Sequence, residues 1–79
     1  MGANTMFWQR PPKQPKPPRG TEGVTLTPSQ VQVGNYVFLS GVYRQISTMT
    51  RLTGGGRLLY FEGRAPYAMR VPMQIYRPR

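Results

Sequence analysis

Four arginines stand beside, or three residues from, a tyrosine: Tyr43-Arg44, Arg57 before Tyr60, Arg64 before Tyr67, and Tyr76-Arg77. A tyrosine ring offers a flat face on which a nucleobase stacks, and a guanidinium grips phosphate oxygens with parallel N–H donors. With Arg70, these side chains read as a surface for single-stranded nucleic acid, sensing little sequence. Arg44, Arg57, Arg64, Arg70 and Arg77 would neutralise phosphates, and Tyr43, Tyr60 and Tyr76 would stack bases. A blander reading makes the tyrosines ordinary strand formers and the arginines a solvating outer face. The balance of eleven Lys plus Arg against two acids favours the first, because mixed charges would serve solubility equally well.

Other chemistries are excluded by what is missing. The chain has no Cys and no His, and its only carboxylate side chains are Glu22 and Glu62. Zinc sites, thiolate nucleophiles, imidazole bases and paired-carboxylate catalysis therefore have no residues to use. A non-enzymatic binding protein without cofactor or metal is expected. The run Gly54-Gly55-Gly56-Arg57 lacks the Gly-Lys-Ser/Thr and the following helix of a phosphate-binding P-loop, so it reads as a hairpin loop. Such a loop can still lay backbone N–H groups and Arg57 against a phosphate.

These residues need a scaffold, and 79 residues with 9 Gly, 9 Pro and 38% hydrophobic residues allow one small domain. The stretch from Pro11 to Arg19 holds five prolines, three cations and no apolar side chain other than proline, which favours extended polyproline II. Residues 1–23 are expected to form a disordered basic arm, and residues 24–79 the domain. The arm carries +3 and the remainder +6 of the formal +9, so the charge is not confined to a tail. Within the arm, Met6, Phe7 and Trp8 form an apolar triplet that could enter a partner's groove, flanked by the cations Arg10, Lys13, Lys16 and Arg19. Pro12/Pro15 and Pro15/Pro18 have P-x-x-P spacing, which suits either an aromatic groove or a plain basic spacer. No apolar run reaches the roughly 18 residues of a membrane span, no secretory signal is recognised, and the absence of Cys fits a reducing cytoplasm.

From Val24 onward, short apolar runs alternate with turn signals, predicting an all-β domain. Strands are expected at 24–26, at 36–39, from Val42 to as far as Leu52, at 57–62, and at 67–71 and 73–76 on either side of Pro72. Ser40-Gly41 reads as a two-residue hairpin turn and Gly63–Pro66 as a second turn. Five or six strands suit a bent sheet closed into a barrel, since closure removes free edges. The expected core is Leu26, Val31, Val33, Val37, Leu39, Val42, Ile46, Leu59, Phe61, Met69, Val71 and Ile75. Alternation puts Arg44 on the same face as Val42 and Ile46, so it must emerge at a rim or bulge, because a buried unpaired guanidinium is too costly.

The order V-x-V-G-N-Y-V-F-L-x-G-V-Y-R-x-I from Val31 to Ile46 resembles the opening of Src-homology-3-like barrels, including the KOW and Tudor-like groups. L-L-Y-F-E-G-R-A-P-Y-x-M and the terminal I-Y-R-P resemble short uncharacterised proteins of actinobacteria and their phages or plasmids. The resemblance implies a small five- to six-stranded Src-homology-3-like barrel and transfers no activity. The leading expectation is a nucleic-acid-binding protein for DNA or RNA. The alternative is an accessory factor of a mobile element that docks on an acidic protein partner through the barrel and arm.

Overall fold

The computed structural model describes residues 14–79. Seven strands follow one another: β1 (Thr21–Leu26), β2 (Tyr36–Leu39), β3 (Val42–Gln45), β4 (Thr48–Arg51), β5 (Arg57–Phe61), β6 (Arg64–Met69) and β7 (Met73–Pro78), with one turn of 3-10 helix at Pro28–Gln30. They form two antiparallel sheets, one ordered β1-β7-β2-β3 and the other β4-β5-β6. The all-β class holds. The strand count and the closed barrel do not.

The reason lies at Ile46-Ser47, inside the segment expected to run unbroken from Val42 to Leu52. The Ile46 amide donates to Asn35 O at 2.9 Å, whereas the Ser47 amide donates to Tyr60 O at 2.8 Å. Neighbouring amides thus serve different sheets, and one long strand becomes β3 and β4. β3 ends the first sheet and β4 the second, so edges remain that a barrel would have paired.

Turn chemistry positions the rest. Ser40 and Gly41 both have positive φ, 52° and 81°, and Leu39 faces Val42 across them, as in a tight type I′ hairpin. The second turn is shorter than expected. Gly63 takes φ 83° and β6 starts at Arg64, so Ala65 and Pro66 belong to a strand. Phe61 faces Arg64 and Leu59 faces Tyr67, leaving Ala65 and Pro66 together against Tyr60 as a bulge. β1 also begins early, at Thr21 within the stretch assigned to the arm, because its register with β7 pairs Thr21 with Pro78 and Glu22 with Arg77.

Between the sheets lie Leu26, Val31, Val37, Ile46, Leu59, Phe61, Met69 and Ile75, all in the expected core, with Leu39 packed partly buried against them. Val33, Val42 and Val71 are corrections, at 55%, 48% and 64% exposure. Val33 sits in the turn before Gly34, Val42 abuts the hairpin tip, and Val71 lies in the bend before Pro72. All three stand where the chain leaves the region covered by the opposite sheet. Asn35 is buried instead, its side-chain Oδ1 accepting from Gln32 N at 3.0 Å and so closing the turn that leads into β2.

Candidate nucleic-acid interface

The outer face of the four-stranded sheet is aromatic. Phe38 faces Tyr43 and Tyr36 faces Tyr76, and paired residues share a face. The Phe38 and Tyr43 rings lie 4.7 Å apart, and Tyr43 meets Tyr76 edge to face at 5.1 Å. Gly23, opposite Tyr76, makes room for that ring, since a Cβ there would stand 3.0 Å from Tyr76 Cε2.

Residues 14–18 cross this face as a strap. Gln14 Nε2 donates to the hydroxyls of Tyr43 and Tyr76, each at 2.8 Å, and the Tyr43 hydroxyl donates to Pro15 O at 2.6 Å. The segment then turns at Arg19-Gly20 into β1, with Thr21 N and Oγ1 both donating to Pro18 O. Ile75 and Tyr76 are consecutive buried residues pointing to opposite faces, which requires cover on both. The core covers Ile75, and Gln14 with Tyr43 caps Tyr76. A buried Tyr76 is not a free stacking platform, and Tyr43 is half-buried with its hydroxyl engaged on both sides.

The arginines disperse. Neighbours along a strand project to opposite faces, so Tyr43 and Arg44 separate, as do Tyr76 and Arg77. Arg57 and Tyr60, three apart in β5, separate likewise. Arg64 and Tyr67 keep one face, because the bulge between them restores the phase. Arg77 pairs with Glu22 at 3.6 Å, the one ion pair among the described residues. Arg44 lies opposite Val37 and so on the core-facing side of the sheet, half-buried, with Nε buried and unpartnered among the described residues. Lys16 and Arg19 are exposed in the segment that leads to β1. Met6, Phe7, Trp8, Arg10 and Lys13 lie outside the described residues.

Another cationic feature is assembled at one end of the three-stranded sheet. Arg51 faces Arg57 directly across β4 and β5, and the loop between them carries Gly54 and Gly55 at φ 91° and 96°. Arg57 Nη1 donates to Gly55 O at 3.1 Å and Gly56 O at 3.0 Å, which fixes its guanidinium against the loop. Arg70 adjoins, its Cγ 3.4 Å from where a Gly56 Cβ would sit. Arg51 was not among the expected site residues, although it flanks the glycine loop symmetrically with Arg57 and a hairpin there implies the pairing. Gln14 carried no such signal, because its partners lie 29 and 62 residues away.

Open clefts indent the described surface. One, of about 320 Å³, is lined by Val42, Tyr43, Arg44, Gln45, Ser47, Phe61 and Glu62. Another, of about 290 Å³, lies between Leu26, Asn35 and Arg77. Among the described residues no three metal-ligating side chains converge, and no helix is long and apolar enough to cross a membrane. Comparison with family models, curated proteins and solved structures finds no match to this chain.

Proposed function

We propose that this chain is a small Src-homology-3-like nucleic-acid-binding protein whose grip is mainly on phosphates and depends weakly on sequence. The observation that carries this reading is the Arg51–Arg57 cross-strand pair with Arg70 beside the same loop. Like charges placed directly opposite each other destabilise a sheet. Neither glutamate relieves them, since Glu22 is on β1 with Arg77 and Glu62 follows the other end of β5. A phosphodiester backbone supplies the missing negative charge, and counterion release drives its binding. Tyr60, half-buried, faces away from Arg57 on β5, so the grip rests on the arginines and not on a stacked base. Arg44, Arg64 and the exposed Lys16 and Arg19 add to the positive field of the chain without joining this cluster.

The test is a titration of the isotope-labelled chain with a ten-nucleotide single-stranded DNA and its RNA counterpart at low salt. Amide shifts concentrated at residues 51–57 and 70 support the reading. Their absence with both oligonucleotides refutes it.

A further inference from the structure

Beyond that reading, we infer that the free edge of β3 is a docking site for an extended acidic peptide, which adds to the first sheet as a fifth strand and sets a carboxylate against Arg44. The ladder fixes which backbone groups are available. The Ile46 amide points to β2, where it bonds Asn35 O, and strand geometry alternates every second residue. Val42 and Arg44 therefore direct their amides to β2. Tyr43 and Gln45 turn N–H and C=O outward, unused by the sheet.

Three further features single this edge out. Of the edge strands β1, β3, β4 and β6, β3 alone among the described residues lines either cleft with its whole length. That cleft is the wedge left where the chain crosses between sheets at Ile46-Ser47, and at about 320 Å³ it is open to solvent. Arg44 lines it with Nε buried and lacking a partner, and such an atom calls for an acceptor. Finally, Tyr43 is held from its far end, its hydroxyl tied to Gln14 and Pro15, so the edge is rigid before a partner arrives.

Charge chooses the occupant. A chain at +9 attracts an acidic segment, and a carboxylate facing Arg44 accepts from its guanidinium. Glu62 on the opposite wall repels a second one, so the peptide carries one acidic residue at this register, with β-branched neighbours. Main-chain bonds to Tyr43 and Gln45 would supply affinity, and the Arg44 contact would supply selectivity.

The probe is a blocked hexapeptide, valine–threonine–aspartate–valine–threonine–valine, titrated into the full isotope-labelled chain, with the asparagine-for-aspartate peptide as control. The amides of Tyr43 and Gln45 should shift and gain protection from exchange, and the aspartate peptide should bind several-fold more tightly than the control. Arg44→Gln should abolish that difference while leaving control binding intact. Gln45→Pro, which removes an outward N–H and no ladder bond to β2, should weaken both peptides. No binding, shifts at another edge, or equal loss of the preference in Arg70→Gln would overturn the inference. So would a decathymidylate that shifts Tyr43 and Gln45 where the peptide does not. The oligonucleotide reading, probed at residues 51–57 and 70, stands or falls separately.

Discussion

Tyr43 and Tyr76, 33 positions apart in the chain, meet edge to face with ring planes at 89° and share one hydrogen-bond donor, the side-chain amide of Gln14. That clasp joins a polar segment before the first strand to β3 and the last strand. It makes residues 14–18 part of the folded unit, since the Tyr43 hydroxyl both accepts from Gln14 and donates to Pro15.

Tyr43→Phe keeps the ring and removes the hydroxyl. It should cost about 1 kcal/mol, the usual net worth of such hydrogen bonds. Hydrogen exchange should quicken at the strap's junction with β1, where the Thr21 amide donates to Pro18 O, while the β5–β6 ladder is unaffected. Unchanged exchange there would show that Tyr43 does not hold the strap.

Gly23→Ala places a methyl 3.0 Å from Tyr76 Cε2 and 2.6 Å from Gln74 Nε2. Gln74 is exposed and can swing away, whereas the Tyr76 ring is enclosed. A loss of about 1 to 3 kcal/mol, typical of overpacking, is expected in urea unfolding. Gly41→Ala has open space but a φ of 81°, so its loss would come from backbone strain alone.

Ser40 occupies a left-handed position at φ 52° without being glycine. Ser40→Asn creates the Asn-Gly pair favoured in such hairpins and should raise stability by up to about 1 kcal/mol. A fall in the unfolding midpoint would contradict the type I′ geometry.

The elements with local signals were legible in the sequence. Alternation placed Val37, Leu59 and Ile75 inside, and Ser40-Gly41 marked the hairpin. Alternation continues smoothly through Ile46 and Ser47, however, so nothing local tells that their amides diverge to Asn35 and Tyr60. The same limit hid the strap, because Gln14 is an ordinary polar residue until the fold brings Tyr43 and Tyr76 to it. Pairing tyrosines with arginines by proximity in sequence overlooked the two-residue period of a strand, which sends Tyr43 and Arg44 to opposite faces. The Arg51–Arg57 pair was recoverable from symmetry about the glycine loop.

The central claim, phosphate binding at the arginine-bearing loop, is tested most directly by the salt dependence of affinity for a single-stranded oligonucleotide, compared between wild type and single variants. Each lost phosphate contact on a single strand should reduce the slope of log affinity against log salt by about 0.7. Arg51→Gln and Arg70→Gln should each do so with little change in sequence preference. Arg77→Gln should alter it less, since Glu22 already engages that guanidinium at 3.6 Å. Undetectable binding at low salt, or a slope indifferent to Arg51 and Arg70, would contradict the claim.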